Sequence, residues 1–227
     1  FLSTLSTPAM LTAPALLSTP TFAKMGGPTE EQNAGWTRFS LGEFEITIIS
    51  DGNLVTPTTT FGANAEPGAV ESFLLDRHLD AGQNYAHTNH VLVDTGGAKL
   101  LVDVGSGDKF QSSAGKLMDN LEAAEIDASD ITHVALTHAH PDHVWGMMDD
   151  FGDEPRIPEA EYAIAATEFD WWMKEGRVDE VPDGLKPFVV GARNALSPVE
   201  EQTNVLTYGQ RVTRGIIAMA TGVKTKG

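Results

Sequence analysis

The chain contains no cysteine. Disulfides, thiolate zinc sites, iron–sulfur clusters and a cysteine nucleophile are therefore excluded. Basic residues are scarce: 15 Lys and Arg stand against 32 Asp and Glu, a formal net charge of −17 with His neutral. Nucleic-acid binding needs a basic face for the phosphates, so that class is set aside. Binding of a small cation is not excluded. The most apolar stretch, residues 1–23, is broken by Pro8, Pro14 and Pro20, which argues against a membrane-spanning helix. What is present suffices for a core. Of 227 residues, 41% are hydrophobic and 21% charged, which separates the chain from disordered tails. That length fits one large domain, or between one and two.

The acidic charge is concentrated. Residues 119–183 hold 18 Asp or Glu against three basic residues. A solvated acidic surface is the plain reading. An electrostatic funnel toward a metal is the alternative.

Residues 1–23 carry no charge and end in Thr21-Phe22-Ala23, a small-x-small cleavage site. They read as the remnant of a secretory signal peptide, and the expected location is periplasmic or secreted. Phe1-Leu2 looks like the tail of a twin-arginine export motif. A disordered apolar terminus is the other reading. Residues 24–36 read as a linker, and 37–227 as the folded domain.

From Trp36 the pattern turns to β. Phe44, Ile46 and Ile48 predict a strand ending in a turn at Ser50-Asp51-Gly52-Asn53. Residues 56–70 read as a loop. His90-Val91-Leu92-Val93 and Lys99-Leu100-Leu101-Val102-Asp103, joined by Asp94-Thr95-Gly96-Gly97, predict a hairpin. A glycine turn follows at 104–107, then a helix near 109–125 with Leu117, Leu121 and Ala124 on one face. Further strands are expected at 131–137 and 161–166, a strand pair or one long strand at 211–220, and helices at 167–175 and 187–197. This order favours a layered α/β domain.

The informative stretch is Thr137-His138-Ala139-His140-Pro141-Asp142-His143. Three of the seven histidines and one carboxylate lie within six residues. Imidazole and carboxylate are the ligands that a zinc-like ion takes where no thiolate exists. At a strand end, His138 and His140 could face one ion, because strand side chains repeat every second residue. Pro141 then turns the backbone, so that Asp142 and His143 could face a second. Two metals ~3.5–4 Å apart hold an activated hydroxide and polarise a carbonyl or phosphoryl oxygen.

In Leu100-Leu101-Val102-Asp103-Val104-Gly105 and, after the helix, in the run from Thr132 to His143, the chain resembles the metallo-β-lactamase-fold hydrolase superfamily. The likeness covers roughly residues 38–220. The start Leu41-Gly42-Glu43-Phe44-Glu45-Ile46 and the leader look most like the methyl-parathion-hydrolase and lactonase-like branch. The resemblance implies an α/β, metallo-β-lactamase-like αββα sandwich, with the N-terminal part largely present and the C-terminal part missing. It implies Zn2+, two ions in a complete member, with His138 and His140 in the first site and Asp142 and His143 in the second. It makes Asp103 a support for the ligand loop and not a ligand. Asp142 is also the candidate catalytic residue, through proton traffic. The family's later stretch, T-P-G-H-T-P-G-H, is not matched: after Ala220-Thr221 a lysine stands near the expected His, and no His follows His143. The chain is therefore expected to be a truncated or frame-shifted member, or a fragment.

The remaining candidates read more plainly. His87 and His90 are assigned ordinary structural or surface places, and Asp149 and Asp150 surface ones. His133 is expected to pack or hydrogen-bond in its strand. Phe169, Trp171 and Trp172 read as core before pocket. Trp145 could pack as a wall beneath the metal.

The functional expectation is a hydrolase. A metal-activated hydroxide would attack an ester, lactone, amide or phosphotriester in a small-molecule substrate, with activity impaired in the chain as given. A non-catalytic metal-binding remnant and an iron-dependent oxidoreductase of the same fold stay open, as does a homodimer. The leader carries its own test. Mass spectrometry of protein from its native host is expected to show a start near Lys24; an exported form with Phe1 intact contradicts cleavage.

Overall fold

A computed structural model describes residues 35–221, apart from 63, 150, 152 and 153. Residues 1–23, expected to be a signal-peptide remnant, most of the expected linker 24–36, and Asp150 lie outside the described residues. Two strands open the fold, β1 (Trp36–Leu41) and β2 (Phe44–Pro57). A short helix, α1 (Ala69–Leu75), precedes β3 (Gln83–Asp94) and β4 (Lys99–Val102). Next come α2 (Leu117–Ala123), β5 (His133–Leu136) and α3 (Pro141–Val144). After these follow β6 (Glu161–Ala165), α4 (Ala166–Met173), α5 (Arg177–Glu180) and α6 (Lys186–Leu196). The described chain closes with β7 (Thr203–Leu206), β8 (Arg211–Thr213) and β9 (Ile216–Ile217).

The seven strands β1 to β7 lie side by side in chain order in one mixed sheet. Pairings from β1 to β4 are antiparallel, and those from β4 to β7 parallel. The fold is α/β, as the alternation of strands and helices predicts. The parallel strands are apolar and covered: Leu100, Leu101, Val134, Tyr162 and Ile164 are buried with α2 residues Leu117 and Leu121 and α6 residues Val189, Ala192 and Leu196. Spacing i, i+3, i+7 puts Val189, Ala192 and Leu196 on one stripe of α6, which is why that helix packs down rather than standing in solvent.

The hairpin at 90–102 forms with Asp94 opposite Lys99. The turn expected at 50–53 does not. There β2 continues, with a bulge between Ser50 and Gly52 against Asn89 and Thr88 of β3. Gly52 has φ +105, and a Cβ there would lie 2.3 Å from the Ser113 carbonyl oxygen. The bulge bends the strand around that loop. The helix expected over 109–125 shortens to α2. Its first residue, Leu117, gives its N–H to Asp51 Oδ1 at 2.9 Å, so a carboxylate 66 residues upstream caps the helix. The helix α1, within and beyond the expected loop 56–70, buries none of its residues. No helix among the described residues is long and apolar enough to cross a membrane.

One close approach is a stability test. A Cβ on Gly146 would lie 2.3 Å from the Val104 carbonyl oxygen. Urea unfolding should show Gly146→Ala destabilised by about 1–3 kcal/mol. Gly184→Ala, where a Cβ meets nothing within 4 Å, should stay within about 0.5 kcal/mol of the parent. Equal stability of the two variants contradicts the packing described.

Candidate metal centre

Ligands in open parallel sheets collect at the carboxyl ends of the strands, and the histidine cluster stands there. β4 ends at Val102 and β5 at Leu136. The strand therefore stops before His138, and the two-residue strand repeat does not orient His138 and His140. A loop does, followed by α3 with Pro141 in its first turn and His140 as N-cap. Pro has no N–H to lose at that position, so it starts the helix instead of breaking one. The His143 and Val144 N–H groups bond back to the His140 carbonyl at 3.0 and 3.1 Å, and Val104 N–H bonds to the His143 carbonyl at 2.9 Å.

All four predicted ligand residues come together. The His138 and His140 rings meet edge to face with centroids 4.6 Å apart, and His138 and His143 lie 3.9 Å apart. Asp142 Oδ2 is 3.3 Å from His143 Nε2. Asp103 stands beneath them in the left-handed region, φ 60. Its carboxylate accepts from Thr137 N–H at 2.7 Å, Thr137 Oγ1 at 2.8 Å and His143 Nδ1 at 2.8 Å. The Thr137 hydroxyl has one proton. With it given to Asp103, the contact to His138 Nδ1 at 3.0 Å makes that nitrogen the donor and leaves the His138 Nε2 lone pair outward.

The charges are divided. Burial, then the nearby His143 and His140, lower His138 to about 4, so it is neutral at pH 7. Burial also works to lower His143, but hydrogen bonds and charges of Asp103 and Asp142 outweigh it and raise His143 to about 9. Burial would raise Asp142, yet the His143 hydrogen bond and charge hold its carboxyl below the usual range.

An aromatic wall flanks the cluster. Trp172 lies edge-on to His140 at 5.7 Å and Phe188 at 6.4 Å. Phe188 also meets Trp145 and Phe110, each at 6.0 Å. Trp145 thus reaches His140 through Phe188. Trp172 is 1% exposed and gives its indole N–H to Glu168 at 2.9 Å, a core residue that also touches the site. Trp171 stacks under Arg177. His133 bonds Thr132 Oγ1 at 2.7 Å, and His87 is exposed.

Sequence reasoning missed Asp51 and undervalued His90. Asp51 is buried at 1% exposure and accepts from Ser106 N–H, Ser106 Oγ and Leu117 N–H. His90 is 3% exposed, with Nε2 buried and without a hydrogen bond among the described residues. The signal for Asp51 was only a Ser-Asp-Gly turn motif. For His90 it was a polar residue on the inward phase of β3.

Among the described residues, no group of three or more His, Asp or Glu side chains is arranged to hold a metal ion. The donor chemistry nonetheless suits one. Three imidazoles and a carboxylate lie together, one imidazole presents a lone pair at Nε2, and another has Nδ1 held by a buried carboxylate, the usual support for a ligating histidine. A cation at His143 Nε2 must displace its proton.

His90 gives a pH test. Burial is the main influence and lowers its pKa; Asp51 and Asp103 oppose that, His143 adds to it, and a hydrogen bond with the Val102 backbone opposes it. A folded pKa below the unfolded value means that the unfolded chain binds the proton first. The stability from neutral His90 is complete above about pH 6.5 and falls as pH drops toward the lowered value. In chelator-treated protein, the stability difference between parent and His90→Leu should shift against the parent from about pH 7 to about pH 5. A difference that stays constant contradicts this.

The sequence pattern of the metallo-beta-lactamase superfamily matches residues 86–207, more than half of the chain and the whole of the histidine cluster. Lactamase-like protein adaB of Aspergillus niger is 37% identical over 75 residues, 33% of this chain and 22% of that protein. The solved dizinc quorum-quenching lactonase AidC is similar with a TM-score of 0.73 and 24% identity, over 79% of this chain and 64% of its own. Hydrolase AbOPH is similar with a TM-score of 0.71 and 24% identity, over 79% and 63%. The chain thus spans under two thirds of the solved relatives and about a fifth of adaB, and the structural likeness concerns the fold. With the family pattern lying across strands β3 to β7 and the histidine loop between them, the chain belongs to the metallo-beta-lactamase superfamily.

Proposed function

We propose that this protein is a metal-dependent hydrolase, with zinc as its metal, acting on a small ester, lactone, amide or phosphotriester. The observation that carries the reading is the clamp of Asp103 on Thr137 and His143, which holds His138, His140, Asp142 and His143 at the ends of the parallel strands. His138, His140, Asp142 and His143 are the residues that would hold the metal. A divalent ion supplies a Lewis acid that polarises the scissile oxygen and acidifies water. The chain's own residues do the rest. Asp142, ionised at neutral pH, accepts a proton at a carboxylate oxygen. Asp103 fixes the ring of His143. Trp172 and Phe188 keep bulk water from the flank of His140. The likeness to AidC, a dizinc lactonase, and to AbOPH, a hydrolase, supports the reaction class.

The activity of the 227-residue chain is proposed to be low. Catalytic zinc usually takes three protein ligands, and four side chains divided over two ions fall short. The other histidines stand elsewhere: His78 and His87 are exposed, His90 is buried in β3, and His133 opens β5. Loosely held metal is misplaced metal, and ~1 Å of misplacement costs on the order of a hundredfold. The uncharged residues 1–23 support export to the periplasm or outside the cell.

The test is the full chain loaded with zinc and assayed on aryl ester, lactone and phosphotriester substrates beside AidC. The expected result is chelator-sensitive turnover about a hundredfold or more below that enzyme, abolished by His138→Ala. Turnover untouched by chelator and by His138→Ala contradicts the hydrolase reading at this site. Turnover equal to AidC contradicts the low activity. Zinc held at one loose ion or none, without turnover, favours the non-catalytic metal-binding remnant.

A further inference from the structure

The three clustered rings are braced in different ways. His143 is held by Asp103, and His138 meets the Thr137 hydroxyl. His140 sits among other rings. His138, Trp172 and Phe188 surround it at 4.6, 5.7 and 6.4 Å, with interplanar angles of 70°, 86° and 65°. Edge-to-face packing of this kind has a preferred geometry. It directs His140 only as firmly as the neighbouring rings are themselves fixed.

Trp172 is the neighbour fixed at both ends. Its carbonyl oxygen accepts from Arg193 Nε of α6 at 3.1 Å. Its indole has a single donor, Nε1–H, which goes to Glu168 Oε2 at 2.9 Å. The torsion that turns an indole on its stem is broad and roughly two-fold, so a bond to that one donor selects the orientation of the ring. Glu168 precedes Trp172 by four residues in α4, the spacing that puts two side chains on one helix face. Its place follows from the sheet. β6 runs into α4 with no residue between, and Ile164 of β6 stands opposite Leu136 of β5. The first turn of α4 therefore stands at the same strand ends as the histidine loop, and a carboxylate in a first turn is favoured by the helix dipole. Glu168 is 7% exposed and Trp172 1%. A carboxylate is costly to bury, whereas filling that space needs only an apolar side chain.

We propose that Glu168 is a positioning residue for the candidate metal centre: its hydrogen bond sets the Trp172 indole, and the indole sets the ring of His140. Glu168 acts through Trp172 and not as a ligand. The purpose of this relay rests on the metal-dependent hydrolase reading, but the contacts themselves belong to the metal-free protein.

The test uses the full chain, with proton and nitrogen-15 NMR of the histidine rings recorded first in chelator and then during titration with zinc. Glu168→Leu and Glu168→Met remove the acceptor. Glu168→Gln keeps an amide oxygen that accepts from the indole. Circular dichroism confirms that each variant folds, and either acceptor-free variant alone is sufficient. In chelator, the acceptor-free variants should move the His140 ring signals, which lie beside the indole, and leave those of His87 and His133 in place. Glu168→Gln should match the parent. With zinc, the acceptor-free variants should bind about tenfold more weakly, and Glu168→Gln should bind like the parent. His140 signals identical in parent and acceptor-free variants overturn the proposal, because packing alone then holds the ring. Movement of the His133 and His87 signals along with His140 overturns it as well, since the effect is then general to the fold. So does Glu168→Gln behaving like Glu168→Leu, which would assign the effect to charge instead of the hydrogen bond. Unchanged zinc affinity in the acceptor-free variants overturns the role at the metal centre. If the parent itself binds no zinc, the hydrolase reading fails, and the spectra in chelator still decide the positioning.

Discussion

The candidate site depends on one buried carboxylate. Asp103 leaves β4 in a left-handed backbone conformation, which an aspartate tolerates better than most residues. That conformation turns its side chain across the sheet to the end of the next strand, where it gathers the Thr137 N–H, the Thr137 hydroxyl and His143 Nδ1. Three donors from a loop and a short helix are thereby tied to a neighbouring strand. The same bonds settle ring chemistry: they turn His143 by its inner nitrogen and, through the single hydroxyl proton of Thr137, set which nitrogen of His138 faces outward. A buried carboxylate with donors this well placed is stabilising; with a donor removed it is a cost of about 1–3 kcal/mol.

A second carboxylate repeats the device one layer down. Asp51 sits in the bulge of β2, accepts from Ser106 and caps α2 at Leu117. Its carboxylate also leaves no room for a side chain at position 105. The glycine turn after Asp103 is therefore pressed between Asp51 below and Gly146 above, where Gly146 N–H meets the Gly105 carbonyl at 2.9 Å. His90, buried beside both carboxylates, stays neutral. The buried carboxylates Asp51 and Asp103 are held by backbone N–H groups, hydroxyls and the His143 ring.

Much of this was legible in the residues. The Asp-Thr-Gly-Gly turn between two apolar runs declared the β3–β4 hairpin, and the apolar run into His138 declared β5. The helix expected at 187–197 forms as α6, Lys186–Leu196. The histidine spacing named all four residues that the structure brings together. The unread parts are those decided at long range. Ser-Asp-Gly reads as a turn locally, but the partner strand and the Ser113 carbonyl make it a bulge. The start of α2 is set by Asp51, far upstream. The edge strand β7 has only four residues and no alternation of its own; pairing with β6 makes it a strand. Neither the orientation of Thr137 nor the chain of rings from His140 to Trp145 leaves a periodic trace.

The proposed function requires His138, His140, Asp142 and His143, braced by Asp103, to take up metal together. Its most direct test is the nitrogen-15 NMR spectrum of the histidine side chains of the full chain, recorded during titration with zinc. The account predicts that the ring signals of His138, His140 and His143 change together and saturate, while those of His87 and His133 stay in place. Signals of His87 or His133 moving first, or no saturating change at the three clustered rings, would contradict it.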